Sequence, residues 1–324
     1  MLPFIAKEPF MVKIAAVQQS PVTHDLAATL AKGAQIIETA SKAGADLVAF
    51  PEAWFSGYPD FAWDLTPGRD DDLLSAAYAR YSESAVDLSS KALAPIQQVA
   101  ADTGTVVVAG ITELGTGQAS GTLFNAAVIV DADGGIAHVH RKTMPTMAER
   151  MVWGFGDAST IKVVETAVGR IGVLLCWECY MPLARAALWA QSPEIFVAPT
   201  ADPSDAWIAT MQHCGKEGGV WVVGIDTPMK SSDYPDDLPA RDRIAAADGE
   251  WRRPGSAVIC DPFGGIAAGP MRHELGLLMT DADLSAIAQA RRFFDCTGHY
   301  ARPDLFTLTV DTSKKRSVNF SNGG

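Results

Sequence analysis

The sequence has no apolar run that approaches the roughly 18 residues of a membrane-spanning helix. Basic residues are also scarce, because 26 lysines and arginines stand against 38 aspartates and glutamates, a formal net charge of −12. Nucleic acids and anionic membranes are bound through basic patches, so we expect neither as a partner. The N-terminus has no basic segment ahead of an apolar one and does not predict a secretory signal.

Cysteine is sparse as well, with five residues at irregular spacing. An odd, irregular set does not predict a disulfide framework and is typical of a reducing compartment, so we expect a cytoplasmic protein. Cys176 and Cys179 form a C-x-x-C, a motif of thiol–disulfide oxidoreductases. Those enzymes are smaller and carry small residues or proline between the cysteines, whereas Trp and Glu stand here. A redox role is therefore disfavoured.

Motifs of several other chemistries are missing. The sequence has no G-x-S-x-G, no G-x-x-x-x-G-K-[ST] and no G-x-G-x-x-G. His138 and His140 lie two apart on a predicted strand, but no Cys or His pair at metal-ligand spacing supports them. We interpret them as core or interface histidines, and we expect no metal and no organic cofactor.

What is present is an alternation of predicted strands and helices, with 48% hydrophobic and 20% charged residues. Asp131-Ala-Asp-Gly-Gly135 predicts a hairpin between two strands. The aromatic stretch 58–69 predicts a loop that lines a cavity, and the polar stretch 231–254 predicts a mobile loop. These patterns indicate an α/β layered domain without repeats or linkers.

Three reactive residues follow three predicted strands. Glu52 comes after the apolar run 45–50, Lys142 after 136–141 and Cys176 after 169–175. A carboxylate can accept a proton, an ammonium can stabilise an anion and a thiol can form a covalent bond. Because Cys176 precedes a predicted helix, we expect the helix N-terminus to favour its thiolate. The three residues together predict a covalent catalytic site.

The segments around these residues resemble the signatures of the nitrilase, or carbon–nitrogen hydrolase, superfamily. They are Phe50-Pro-Glu52, His140-Arg-Lys142-Thr-Met-Pro-Thr146 and Cys176-Trp-Glu178. Four further segments resemble the nitrilase branch in particular: Pro145 to Gly154, Cys176 to Arg185, Gly255 to Pro262 and Gly298 to Asp304. One departure is Cys179, which stands where nitrilases commonly carry His or Asn. The tail beyond Asp304 is also short for the branch.

The resemblance implies a four-layer αββα sandwich of two mixed sheets flanked by helices. It implies a catalytic domain over 12–285 and a C-terminal extension over 286–324 that serves as an interface segment and tail. It implies that Cys176 attacks a nitrile, that Glu52 is the general base, that Lys142 stabilises the anion and that Glu149 holds Lys142 or a water. The pocket is then expected to be formed by Trp54, Tyr58, Thr146, Trp177 and the segment 201–207.

The expected product is a carboxylic acid with ammonia, formed through a thioimidate and a thioester. An amidase of the same superfamily, a cyanide-degrading enzyme and a non-catalytic assembly protein are the alternatives. Relatives dimerise through helices, and the apolar residues of 182–191 together with the segment 298–306 predict a homodimer or larger homo-oligomer.

Overall fold

The computed structural model describes residues 10–245 and 250–319, and in them two six-stranded sheets with flanking helices form the main body, beside a small sheet of two strands. The strands are β1 (Met11–Gln18), β2 (Leu47–Ala49), β3 (Val106–Leu114), β4 (Leu123–Val130), β5 (Ile136–Arg141), β6 (Val164–Thr166), β7 (Gly169–Val173), β8 (Ile195–Thr200), β9 (Trp221–Asp226), β10 (Met229–Lys230), β11 (Trp251–Arg253), β12 (Ala257–Cys260), β13 (Ile266–Met271) and β14 (Gly276–Asp283). The helices are α1 (Leu26–Lys42), α2 (Phe61–Asp64), α3 (Asp71–Glu83), α4 (Ala94–Thr103), α5 (Pro182–Trp189), α6 (Asp205–Gly218), α7 (Arg241–Ile244) and α8 (Ser285–Phe293). Within the described residues, no helix is both long and apolar enough to span a membrane.

Each large sheet combines parallel and antiparallel neighbours. The first has the order β14-β1-β2-β3-β4-β5 and the second the order β13-β12-β9-β8-β7-β6. β1, β2 and β3 are parallel in the first sheet, and β7, β8 and β9 are parallel in the second. Parallel strands end at a common edge, so the loops after these strands meet at one end of each sheet.

The sheets pack face to face, and helices cover their outer faces. Val108 and Ile129 of the first sheet meet Val197 and Ile225 of the second in a fully buried central core. Side chains of α1 and α4 pack on the outside of the first sheet, and side chains of α5 and α6 on the outside of the second. This is the four-layer αββα sandwich, so the predicted fold class is confirmed.

The predicted hairpin at 131–135 forms as the residues require. Gly134 has φ of 82°, a conformation that suits glycine, and the Asp131 N–H donates to the Gly135 carbonyl at 2.8 Å. The two strands then pair antiparallel as β4 and β5. The hairpin therefore sets the register between β4 and β5, and this register determines the position of Lys142 directly after β5.

The prediction of a loop over 231–254 was wrong for the described residues. This segment carries a 3-10 turn, α7 and β11, and β11 pairs with β10. Two of its polar side chains bind acidic partners inside the protein: Tyr234 donates to Asp60 at 2.6 Å, and Arg252 pairs with Asp64 at 2.8 Å. Composition alone suggested a solvated loop because these partners lie 174 and 188 residues away in the sequence.

Candidate active site

Glu52 lies in a tight turn directly after β2. The turn passes very close to β3, because a Cβ atom on Gly110 would lie 1.9 Å from the Pro51 carbonyl oxygen. Only glycine permits that approach. The Phe55 N–H donates to the Gly110 carbonyl at 3.0 Å, and the Glu52 side chain is completely buried. The turn therefore presents a carboxylate inside the protein.

Lys142 reaches this carboxylate from the end of β5. Its ammonium donates to Glu52 Oε1 at 2.8 Å and to Glu149 Oε2 at 2.6 Å. Glu149 stands on a 3-10 turn over Met147–Met151, seven residues after Lys142. Both carboxylates and the ammonium are buried, so one buried cation bridges two buried anions.

Cys176 opens a 3-10 turn over Cys176–Tyr180 and has φ of 52°. A residue other than glycine rarely adopts this left-handed conformation, and such strain is often found at functional sites. Single side-chain atoms of Cys176, Glu52 and Glu149 lie within 4.8 Å of one another. The structure thus brings together the four residues for which the sequence predicts catalytic roles.

The two glutamates differ in the partners of their oxygens. Glu149 accepts from Tyr58 through Oε1 at 2.6 Å, and from Lys142 and the Thr146 N–H through Oε2. Glu52 Oε1 accepts from Lys142 and from Asn125 Nδ2, whereas Glu52 Oε2 has no partner among the described residues. Glu149 is therefore held as an acceptor, and Glu52 keeps one oxygen for another proton.

Burial dominates the electrostatics of the cluster. It raises the pKa of Glu52 above its ordinary value, and the charge of Lys142 opposes the rise. Burial alone would lower the pKa of Lys142, but the negative charges of Glu52 and its other neighbours raise it, so the ammonium stays charged. A permanent cation thus lies beside a carboxylate that gains a proton more easily than usual.

The expectation of a stabilised Cys176 thiolate was wrong for the free site. Burial, followed by the charge of Glu52, raises the pKa of the thiol well above its ordinary value, and Lys142 lowers it only in part. The five-residue 3-10 turn does not outweigh these effects. The thiol is therefore protonated at rest and needs a base to remove its proton.

The other predicted pocket residues differ in position. Tyr58 and Thr146 both donate to Glu149, and so belong to the cluster. Trp177 directly follows Cys176, is 44% exposed and donates its indole N–H to Asp202 at 3.0 Å. Trp54 instead packs against Phe50 and Phe55 on the outer side of the first sheet, and donates to the Gln19 carbonyl at 2.6 Å.

These contacts give Trp54 a packing role and do not support its predicted place in the pocket.

Sequence reasoning missed several residues of the site. Thr200, at the end of β8, donates its hydroxyl to Cys176 Sγ at 3.1 Å. Asn125, on β4, holds Glu52, and its only signal in the sequence is a polar side chain within an apolar strand. Contacts of this kind depend on strand register, which the sequence did not reveal.

Glu178 and His140 form a second buried pair behind the nucleophile. Glu178 Oε2 contacts His140 Nε2 at 2.9 Å and accepts from the Leu175 N–H, while Oε1 accepts from the N–H of Thr143 at 2.7 Å and from its hydroxyl. Burial opposes the charged forms, but their mutual attraction raises the pKa of His140 and lowers that of Glu178. The pair joins the turn of Cys176 to the loop of Lys142.

Cys179 packs in the outer core of the second sheet, and its thiol lies 3.7 Å from the Leu174 carbonyl. Cys176 and Cys179 are both free thiols.

By donor type, Cys176, Glu52 and Glu149 could ligate a metal ion. The Lys142 ammonium, however, already bridges the two carboxylates, so the donor set fits a resident lysine better than a metal ion.

A surface cleft of about 440 Å³ lies between α1 and α4 and is lined by Ala34, Glu38, Pro95 and Gln98 among others. It contains none of the predicted site residues.

The family model for carbon–nitrogen hydrolases matches residues 13–292. The chain is 38% identical over 317 residues to a nitrilase of Bradyrhizobium diazoefficiens, covering 97% of this chain and 96% of the relative. It is 37% identical over 307 residues to an aliphatic nitrilase of Sinorhizobium fredii, covering 94% and 97%. It is 36% identical over 317 residues to a bifunctional nitrilase/nitrile hydratase of Nicotiana tabacum, covering 96% and 89%.

Solved structures show the same fold at lower identity. A carbon–nitrogen hydrolase from Helicobacter pylori superposes with a TM-score of 0.70 at 21% identity, covering 93% of this chain and 98% of the other. Nit3 of Saccharomyces cerevisiae gives a TM-score of 0.67 at 19% identity, covering 91% and 98%. Sequence and fold agree, and the chain belongs to the carbon–nitrogen hydrolase family, in its nitrilase branch.

Proposed function

We propose that this enzyme hydrolyses an organic nitrile to the carboxylic acid and ammonia, with Cys176 as nucleophile. The observation that carries the proposal is the unequal pair of glutamates beside a protonated thiol. Both oxygens of Glu149 accept hydrogen bonds, whereas Glu52 Oε2 is buried without a partner in the described part of the chain and can take the thiol proton. The full-length similarity to nitrilases supports a nitrile as substrate.

The chemistry proceeds in two hydrolytic stages. Glu52 takes the proton from Cys176 Sγ, the sulfur attacks the nitrile carbon, and protonation of the nitrogen gives a thioimidate. A water molecule then adds to the thioimidate carbon while Glu52 accepts a proton from it. The carbon–nitrogen bond breaks, ammonia departs, and the acyl group remains bound to Cys176 as a thioester. A second water breaks the carbon–sulfur bond and releases the acid and the thiol. Lys142 stabilises the negative charge that develops in each addition.

The intermediate formed by the first water can also lose the thiol instead of ammonia, which gives an amide. Some relatives are named bifunctional nitrilase/nitrile hydratase, so an amide is a second candidate product of this enzyme. Amide hydrolysis and cyanide degradation use the same catalytic residues, and the nitrilase relatives favour the organic nitrile over both.

The test combines product analysis with a trapped nucleophile. Wild-type enzyme and Cys176→Ala are given a panel of aliphatic and aromatic nitriles, amides and cyanide, and ammonia, acid and amide are measured. Wild type should convert a nitrile, and the alanine variant should lose all measurable turnover because no other group can form the covalent bond. After treatment with an electrophile, intact-protein mass spectrometry should show one more covalent label per chain on wild type than on Cys176→Ala.

Cys296→Ala serves as the matched control, since this half-buried thiol lies outside the site and should leave turnover unchanged. Ammonia release at the wild-type rate from folded Cys176→Ala would refute the mechanism. Turnover of amides alone would replace the nitrile with an amide as the substrate.

We also propose a homodimer in the cytoplasm. All five cysteines are free thiols, which supports a reducing compartment. The domain division at residue 285 stays a prediction, and α8 begins at that point.

A further inference from the structure

Three neighbouring parallel strands end beside the nucleophile. Cys176 follows β7, Thr200 ends β8 and Asp226 ends β9. Thr200 and Asp226 are register partners, and the Thr200 hydroxyl contacts Cys176 Sγ at 3.1 Å. Ile225 packs between the sheets, so the alternation along β9 places Asp226 on the opposite face, away from that core. Cys176, Thr200 and Asp226 therefore lie at the ends of three successive strands, with Thr200 in the middle and Asp226 furthest from the nucleophile.

No side chain among the described residues donates a hydrogen bond to Asp226. Its side chain is fully buried, and within 10–245 and 250–319 neither carboxyl oxygen has a hydrogen-bond partner apart from the adjacent Thr227 N–H, which lowers the pKa of the carboxyl. The charge of Arg253 attracts the Asp226 carboxylate, but Arg253 makes its hydrogen bonds to other groups: it binds Asp60 through Nη1 and the Thr227 carbonyl through Nε, and among the described residues its Nη2 has no partner. Buried polar groups are nearly always hydrogen-bonded, so an orphaned carboxyl two strands away from the nucleophile indicates a group that meets a ligand.

The charged groups around Asp226 come from three separate elements. Arg253 on β11 attracts its carboxylate, while Asp202 after β8 and Glu52 after β2 repel it. Burial is the largest effect and raises the pKa of Asp226 to about 8. A purely structural position of this kind would be better filled by an apolar residue, because burying an unpartnered carboxyl is costly.

We propose that Asp226 recognises the substituent of the substrate, and that the enzyme prefers short aliphatic nitriles that carry a hydroxyl or amino group. This inference rests on the proposed function. Adjacent strands lie about 4.8 Å apart, so the backbones of Cys176 and Asp226 are roughly 10 Å apart and their side chains close part of that gap. A substituent of about three or four atoms beyond the nitrile carbon spans the remainder. Its donor then completes the hydrogen bonding of Asp226.

The experiment compares nitriles of equal size. 3-Hydroxypropanenitrile, 3-aminopropanenitrile and butanenitrile have the same number of heavy atoms, as do 4-hydroxybutanenitrile and pentanenitrile for a longer reach. For wild type, kcat/KM should be at least about 10-fold higher for a donor-bearing nitrile than for its alkyl counterpart, since a site that binds a polar group rejects the analogue without it. Asp226→Leu should reverse this order.

Asp226→Asn should keep part of the preference for the hydroxyl, because an amide oxygen still accepts. It should lose the preference for the amine, because an amide cannot give up a proton to become an anion beside the ammonium. Asp236→Asn is the matched control: its side chain is fully exposed, and all ratios should stay at the wild-type values. If Asp226→Leu fails to fold, the same ratios measured on Asp226→Asn decide the question.

Equal loss of kcat/KM on all three nitriles in Asp226→Leu would assign Asp226 a structural role and overturn the proposal. A wild-type preference for butanenitrile would overturn it as well. If wild type converts amides and no nitrile, the proposed function fails, and 3-hydroxypropanamide against butanamide then gives the ratio that tests Asp226 independently.

Discussion

Glu52 and Glu149 both bind Lys142, yet we expect replacement of each by glutamine to have different effects on activity and on stability. Glu52→Gln keeps an oxygen for Lys142 and Asn125 but removes the base, so kcat should fall by at least about 100-fold with little change in melting temperature. Glu149→Gln offers one acceptor oxygen to three donors and should lower stability by about 3–5 kcal/mol as well as activity.

Ammonia release at saturating nitrile and thermal unfolding followed by circular dichroism measure the two effects. A Glu52→Gln variant altered only in KM would mean that Glu52 binds substrate and is not the base.

Asp226 should also make stability depend on pH. Its pKa is about 8 in the folded protein and about 3.8 in an unfolded chain, so the folded state retains a proton that the unfolded state has lost. Its contribution to stability is complete below the lower value and is lost as pH rises to the higher one, with a slope of up to about 1.4 kcal/mol per pH unit.

Urea unfolding of wild type and Asp226→Asn between pH 5 and pH 9 tests this. The advantage of wild type over the variant should shrink from pH 5 to about pH 8 and then level off, and a constant difference over the whole range would contradict the assignment.

At the scale of elements, the Glu178–His140 pair joins the turn of Cys176, which follows β7 of the second sheet, to β5 of the first sheet. Glu178→Gln leaves His140 without its carboxylate, so we expect a loss of about 3–5 kcal/mol in stability, as for a broken buried ion pair. The turn of Cys176 should also lose its alignment with Lys142, which lowers kcat more than it raises KM. His140→Gln, which removes the cation and keeps a hydrogen bond, should be milder in both respects.

Steady-state kinetics and unfolding curves on both variants provide the comparison. Wild-type kcat in a folded Glu178→Gln enzyme would show that the pair supports the fold alone.

Strand ends were the part of the site that the sequence could predict. Apolar runs locate β2, β5 and β7, and a reactive residue after each run was enough to select Glu52, Lys142 and Cys176. Asn125, Thr200 and Asp226 escaped because their importance depends on which strands become neighbours, and strand order cannot be derived from local patterns. The pocket role predicted for Trp54 has no support from its contacts for the same reason, since an aromatic residue near a turn can face either side of the sheet.

At the scale of the whole molecule, the surface supports the predicted assembly only in part. On α5, Leu188 and Trp189 are buried in the protein's own core, while Leu183 is 66% exposed. Tyr300, Leu305 and Phe306 of the C-terminal segment are exposed too. We expect a homodimer as the smallest species because such apolar surface is usually covered in solution.

Light scattering after size exclusion should give twice the mass of 34.4 kDa for wild type. Leu183→Asp should shift the mass towards the monomer, whereas Phe263→Asp, at an exposed residue on the turn between β12 and β13, should leave it unchanged. A fully active wild-type monomer at low micromolar concentration would contradict the dimer.

The pairing of the first strand with the last has a consequence for synthesis on the ribosome. β1 lies between β2 and β14, and Gln18 pairs with Gly276. At about 5–20 residues per second, some 260 residues of translation pass, on the order of 10–50 s, before β14 can join β1. During that interval one edge of β1 stays open in the nascent chain, and open strand edges recruit other chains. Slow elongation before β14 has emerged from the ribosome should therefore increase aggregation more than slow elongation after β14 has emerged.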